Sequence, residues 1–393
     1  MLVSNIKLSE QKGKLRISAH CKTDGGNSKV VYFEYDSSYH DYLNLDYSSF
    51  AAALLLPSMK LGEDLVVEGS MSKKLYDGMQ QIMNIVKGWD VGLNPIKVIP
   101  QSLETDSLKG GDILTTFSGG VDSFYSWLTH KNDSKPVRTM MFINGFDISL
   151  DNQDLYRKTI DNIKKIAEAE NAKLIEAESN IRSFIDPILG WGLSHGGCLA
   201  ATALCLRNGI DLMYIPSSYT VEQEHPWGSH RLLDGHWSTE VITFMHDGYD
   251  TSRVDKVVNA VGHSQTALNY LRVCWKEENG SYNCGRCNKC LRTMVNLYVA
   301  NSLDKSKTFP RSIDISLLEK ADLDEADVMF VRENISALKQ NDGSLELIVA
   351  YEKSLSKYLH QNLIRRTKGY VLKLDRTYLN GSVRNLIMGI MRK

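Results

Sequence analysis

The chain has 393 residues and a formal net charge of −1, a balance that argues against a dedicated nucleic-acid binder, although charge can still be segregated locally. Hydrophobic residues at 42% and charged residues at 24% fit a globular protein with a real core, and this length predicts one large domain or about two to three smaller ones. The first residues, 1–14, lack the long apolar core of a secretion signal, and no apolar run is long enough to span a bilayer. A cytoplasmic setting without a membrane partner is expected.

Residues 1–105 read as a β-rich N-terminal domain. Leu15, Ile17, Ala19 and Cys21 alternate with Arg16, Ser18 and His20, the period of a strand, and residues 30–35 supply a partner strand. Leu75, Met79, Ile82, Met83 and Val86 have helical spacing. No catalytic constellation lies here, so the expected role is a cap that contacts substrate or partner.

The pattern changes near Lys109, and residues 106–300 read as a second domain. Segments 113–117, 137–143, 173–177, 212–215 and 240–245 read as strands; a helix follows Asp122, and 154–170 and 198–206 read as helices. Strands alternating with helices predict an α/β fold: a parallel sheet of five-stranded type with helices on both faces. Ligands in such sheets lie beyond the carboxyl ends of the strands, where the loop at Ser118 falls. Residues 301–393 read as a helical C-terminal region, with helices over 331–340 and 345–363. Its tail carries Arg365, Arg366, Lys368, Lys373, Arg376, Arg384, Arg392 and Lys393 against Asp375, either a solvated basic face or a contact for an anionic or nucleotide-bearing partner.

The loop Ser118-Gly119-Gly120-Val121-Asp122-Ser123 follows the first of these strands. Glycines admit close backbone approach, and free N–H groups at a helix start point at an anion. Ser118 and Ser123 offer hydroxyl donors, and Asp122 offers oxygen to a hard cation such as Mg²⁺. No Gly-Lys-Ser/Thr ending makes it a Walker loop. An ordinary glycine turn is the plain alternative. The full string resembles the PP-loop of N-type ATP pyrophosphatases. That resemblance implies an adenine nucleotide alpha hydrolase-like fold, ATP and Mg²⁺ as ligands, cleavage between the α- and β-phosphates, and a pyrophosphate cradle formed by residues 118–123.

Seven cysteines are present, four of them between Cys274 and Cys290. Cys274, Cys284, Cys287 and Cys290, with two Cys-x-x-Cys steps sharing Cys287, can close a tetrahedral Zn²⁺ site; an iron–sulfur cluster is the competing metal reading. Cys198 and Cys205 fall on one helix face and read as core packing. The pairing of the loop with this cluster resembles the 7-cyano-7-deazaguanine synthase family over residues 110–300. The resemblance implies a structural zinc and conversion of a deazaguanine carboxylate to amide and nitrile with ATP and ammonia. Strings such as Gly228-Ser229-His230, Leu233-Asp234, His246-Asp247-Gly248 and Leu271-Arg272-Val273-Cys274-Trp275 are similar to those of a broader set of synthase-like proteins, some in antiphage defence, which attach a deazaguanine to a protein amine. The chain departs from the synthase in its greater length and in lacking a Tyr-Pro-Asp-Cys-Arg-like substrate string; residues 215–230 read differently.

Adenylation also needs cations facing the phosphates. Arg253 and Lys256, at the start of a helix after Gly248, are the candidates, with solvent-facing helix charges as the alternative. His195-Gly196-Gly197, read as the approach to a helix from Cys198, would let adenine or ribose reach the backbone; a plain helix-entry turn is equally open. Ser229, His230 and Asp234 share a polar loop with Trp227 and Trp237, a combination suited to a planar heterocycle, with His230 as a catalytic candidate. The expected activity is a ligase that adenylates a 7-carboxy-7-deazaguanine-like acid and passes it to ammonia or a protein amine, releasing AMP and pyrophosphate. A PP-loop tRNA-modifying enzyme and a non-enzymatic nucleotide-binding zinc subunit are the alternatives. A protein acceptor, tRNA less readily, and a homodimer are the partners considered.

Overall fold

The computed structural model describes residues 1–105, 110–274 and 282–378, with side chains described as far as residue 363. Trp275 and the side chains of the basic tail therefore lie outside the described residues. The strands are β1 (Leu2–Gln11), β2 (Lys14–Lys22), β3 (Ser28–Asp36), β4 (Leu65–Ser72), β5 (Val98–Glu104), β6 (Asp112–Thr116), β7 (Thr139–Asn144), β8 (Lys173–Ser179), β9 (Ile210–Pro216) and β10 (Thr243–Asp247). The helices are α1 (Ser48–Leu61), α2 (Lys73–Gly88), α3 (Val121–His130), α4 (Gln153–Ala169), α5 (Arg182–Ile185), α6 (Trp191–Leu204), α7 (Arg253–Asn259), α8 (Gln265–Tyr270), α9 (Asn288–Val299), α10 (Ile315–Lys320), α11 (Glu325–Gln340) and α12 (Leu345–Tyr378).

The ten strands form one sheet in the order β10-β9-β6-β7-β8-β3-β2-β1-β4-β5. β10, β9, β6, β7 and β8 are mutually parallel neighbours. The expected α/β class and parallel sheet are thus present, within a larger sheet than the sequence suggests. Residues 1–105 hold helices α1 and α2 as well as strands, and they are not detached. β3 pairs antiparallel with β8 at Phe33 and Glu34. Side chains lengthen that seam: Tyr32 N donates to Asn180 Oδ1 at 2.9 Å, Asn180 Nδ2 donates to Val30 O at 2.9 Å, and Ser179 Oγ donates to Tyr32 O at 2.6 Å.

Strand alternation builds a core on each face. Every residue of β7 is buried. Met141 and Ile143 enter the core shared with α1, α2 and α6, whereas Met140 and Phe142 enter the core shared with α3, α4, α8 and α9. A third cluster joins α7 and α9 to α10, α11 and α12. Among the described residues no helix is long and apolar enough to cross a membrane.

α6 begins at Trp191, seven residues before the start expected from its Ala- and Leu-rich run. Gly192, Gly196 and Gly197 weaken the local helical signal, yet each is needed for packing. A Cβ at Gly197 would lie 2.5 Å from Ala52 O on α1, and one at Gly196 would lie 1.9 Å from Gly228 O. Gly196 and Gly197 are therefore interhelical and loop-packing residues inside α6, not an open helix entry. α1 was likewise illegible as an amphipathic helix because residues 48–59 are buried all round. Gly197→Ala should lower stability by about 1–3 kcal/mol, measured by chemical denaturation; an unchanged midpoint would show that α1 and α6 are not in this contact.

Candidate functional site

The order of the parallel strands reverses at β6, whose neighbours are β7 on one side and β9 on the other. In open α/β sheets such a switch leaves a crevice at the carboxyl ends. A solvent-open cleft lies there, lined by Ser118, Asp122 and Ser123 after β6, Phe146 and Asp147 after β7, and Ser218 after β9. Trp191, His195, Trp227 and Ser229 form its other end.

The loop at residues 117–120 has a conformation that requires glycine at one position. Gly119 adopts φ +77°, the left-handed region. Gly120 then caps α3 with extended backbone, and no side chain hydrogen-bonds to the first turn. The first N–H groups of α3 are thus left for an anion. Val121 contributes backbone there, its side chain being buried in the core below. Ser123 Oγ lines the cleft but donates to Gly120 O at 3.0 Å, so its hydroxyl braces the loop in this state.

Asp122 is the electrostatic centre. Arg253 Nη1 donates to its Oδ2 at 2.6 Å, Lys256 Nζ lies 3.4 Å from its Oδ1, and Ser218 Oγ donates to Oδ2 at 3.2 Å. Burial alone would raise the Asp122 carboxyl, but Arg253 and Lys256 outweigh it and hold the group below its ordinary range. Lys256 is 1% exposed and also donates to Ser217 O at 2.6 Å. Its burial pulls the ammonium below the usual lysine value, against the pull of Asp122. The two cations come from α7, which starts where expected because Ser252 accepts from Asp255 N at 3.1 Å. They are buried at the site rather than solvent-facing.

α9 adds cations that the sequence reading did not single out. Arg292 is 9% exposed, its guanidinium stacks on Phe330 at 3.9 Å, and its Nη1 lies 3.8 Å from Asp327 Oδ1. Burial, with repulsion from Arg253, lowers it to about 10. Lys289 stands exposed on the first turn of α9, three residues before Arg292. The one available signal was position: a helix leaving the cysteine cluster with basic residues three apart.

The other end of the cleft is aromatic. Trp191 packs edge-on to Phe146 at 4.9 Å, and His195 edge-on to Trp227 at 5.3 Å. His195 Nδ1 faces Trp191 O at 3.0 Å and Nε2 faces Ser229 N at 3.2 Å. A carbonyl only accepts and an N–H only donates, so the proton sits on Nδ1. Burial lowers the His195 pKa, which favours this neutral form. Ser229 Oγ and His246 Nδ1 both reach Asp234 Oδ2, at 2.6 and 2.7 Å, and Asp234 is fully buried. His230 packs edge-on to Trp89 at 5.1 Å, its Nε2 lies 3.8 Å from Glu224 Oε1, and it lines a small neighbouring pocket with Ser217, Ser229 and His246 rather than the main cleft. Trp237 is buried in the core near Gly197.

A second cluster stands beside the loop. The sulfurs of Cys274, Cys284, Cys287 and Cys290 all lie within 4.8 Å of one another. Cys274 and Cys287 sulfurs are 3.9 Å apart, and those of Cys284 and Cys290 are 3.8 Å apart. A tetrahedron with metal–sulfur bonds of about 2.3 Å has edges of about 3.8 Å, so the four could hold a metal such as zinc. The turn is shaped for it: Gly285 has φ +67°, and Arg286 N and Cys287 N donate to Cys284 Sγ at 3.4 and 3.3 Å. Two residues before Cys274, Arg272 N donates to Gly119 O at 2.8 Å, which ties the cluster to the glycine loop. Cys198 and Cys205 are buried core residues, as expected, and burial pushes Cys205 up to about 12.

Comparison with protein-family models, curated proteins and solved structures returned no match.

Purified protein should contain about one zinc per chain, and Cys287→Ser should lower both metal content and melting temperature. Elemental analysis that finds iron with visible absorbance would overturn the zinc assignment.

His130 supports the site from behind. Its Nε2 meets Asp247 at 2.9 Å and its Nδ1 meets Asp133 at 2.7 Å. The Asp247 hydrogen bond chiefly raises it to about 9, burial opposes, and Asp133 adds to the rise. A group with a raised folded pKa stabilises fully below its unfolded value of about 6.5 and loses that contribution as pH rises through about 9. The stability difference between wild type and His130→Gln should therefore be larger at about pH 6 than at about pH 10. A pH-independent difference would refute the charged pair.

Proposed function

We propose that the protein is an ATP-dependent ligase that adenylates a carboxylic acid and releases pyrophosphate. The observation that carries this reading is the convergence of Arg253 and Lys256 on Asp122, a residue of the uncapped start of α3 that lines the cleft at the sheet's switch point. A triphosphate needs backbone donors and fixed cations together, because phosphoryl-type transfer is catalysed mainly by positioning and charge stabilisation. Residues 118–123 supply the donors; Arg253, Lys256 and Arg292 supply the cations. Asp122 and Asp147, both lining the cleft, are the carboxylates that could hold Mg²⁺, which when bound would neutralise phosphate charge.

In the proposed step, a carboxylate oxygen of the acid attacks the α-phosphorus of ATP. The bond to the bridging oxygen breaks, and pyrophosphate leaves. Ammonia or a protein amine then attacks the acyl carbon, loses a proton and displaces AMP. The acid would lie toward Trp191, His195 and Trp227, where aromatic walls with a few polar groups suit a planar heterocycle. The resemblance to the 7-cyano-7-deazaguanine synthase family favours a 7-carboxy-7-deazaguanine-like acid. Neutral His195 exposes no additional positive charge there. His230, outside the main cleft, is better suited to shaping the loop around Ser229 than to chemistry.

With ATP, Mg²⁺, the deazaguanine acid and ammonia, the protein should form AMP and pyrophosphate in equal amounts. Asp122→Ala should reduce the rate by about 100-fold or more, with zinc content retained and a lower melting temperature, because Arg253 and Lys256 are left buried without their partner. Formation of ADP and phosphate instead, or a near wild-type rate in Asp122→Ala, would overturn the reading.

A further inference from the structure

Arg253 and Arg292 approach the same site from different helices and repel one another. Each is buried, at 7% and 9% exposure, and the Nε of each lacks a hydrogen-bond partner. Buried guanidinium groups without full pairing are costly, so something must hold them and something must use them. Arg253 is engaged by Asp122. Among the described residues the one ion pair of Arg292 is the loose contact of its Nη1 with Asp327 Oδ1 at 3.8 Å, whereas Arg253 Nη1 meets Asp122 Oδ2 at 2.6 Å. The charge of Arg292 is therefore the less neutralised of the two.

One ring lies against both. Phe330 of α11 is 3% exposed. The Arg292 guanidinium lies 3.9 Å from its centroid and that of Arg253 lies 5.9 Å away, both within cation–π range. Tyr219, from the loop after β9, packs on the same ring at 5.5 Å. Glu333, one turn further along α11, accepts from Gln223 Nε2 at 2.9 Å, which fastens that loop to the helix. α11 lies outside residues 110–300, the part of the chain that carries the family resemblance.

We propose that Phe330 is a positioning residue for a second anion subsite, in which Arg253 and Arg292 are held on one ring to grip the phosphate groups leaving the loop. The inference rests on the ATP-cleaving reading of the cleft. It makes the C-terminal helical layer part of the phosphate machinery rather than an appended surface. Charge alone does not suffice in this arrangement: a flat guanidinium stacks on the ring and keeps its N–H edge free for oxygen, whereas an ammonium does not.

The test is calorimetric binding of inorganic pyrophosphate with Mg²⁺ to the full chain. Phe330→Leu, which keeps an apolar side chain but removes the ring, should bind pyrophosphate about tenfold more weakly. Phe330→Tyr should restore most of that affinity. Arg292→Lys, which keeps the charge, should weaken binding to a similar degree as Phe330→Leu, and it decides the matter if Phe330→Leu fails to fold. Zinc content and melting temperature report whether the fold survives. Wild-type affinity in both Phe330→Leu and Arg292→Lys would overturn the inference while leaving the ATP reading intact. Absence of pyrophosphate binding by the wild type would overturn the ATP reading, and the subsite with it.

Discussion

A carboxylate at the second position of α3 holds two buried cations from α7, and much of the surrounding structure follows from that ion cluster. Isolated, any of the three charges would be expensive in so enclosed a place. Together they are affordable only if backbone groups complete their hydrogen bonding. Ser217 O does so for Lys256 and Ser218 Oγ for Asp122. The cluster therefore pins three segments to one point: the loop after β6, the loop after β9 and the start of α7. Asp247, at the end of β10, is held behind them by His130 and Ser126.

The cysteine cluster acts on the same point from the other side. Its first cysteine lies two residues after Arg272, whose backbone bonds to Gly119, and its third, Cys287, stands at the cap of the helix that carries Cys290 and Arg292. A metal held by four thiolates couples binding to folding. Here that coupling would reach the glycine loop through one backbone hydrogen bond and the cation cluster through one helix. Gly119 tolerates the constraint because its left-handed conformation carries no side-chain penalty.

The N-terminal segment contributes indirectly. α1 packs against α6 through Gly197, and α6 in turn presents Trp191 and His195 to the cleft. Gly228 closes on Leu193 and His195 with no room for a side chain, which seats Trp227 opposite. The aromatic end of the cleft is thus assembled by close backbone approach, while the loop end is assembled by charge. The difference fits the two kinds of surface they offer, one flat and apolar, the other rich in donors.

The local signals were legible because their physics is local. A glycine pair after a buried strand forces a loop and frees helix N–H groups whatever surrounds it. Cysteines three apart on a tight turn bring sulfurs together almost unaided, and Ser252 caps α7 within its own first turn. Alternating β-strands and amphipathic helices likewise disclosed the α/β class. Other features depend on neighbours distant in sequence. Gly196 and Gly197 resembled a turn until α1 and the loop at Gly228 came into contact with them. His230 packs on Trp89, far away in the chain, and lines a small pocket beside the cleft rather than the cleft itself. Arg292, Asp147 and Phe330 carried no motif at all. The sequence by itself determined the loop, the thiolate cluster and the parallel α/β pattern, since each follows from short-range backbone and spacing constraints. Only the tertiary structure decided which buried charges meet, because that depends on how the two cores and the C-terminal helices close around the end of one sheet.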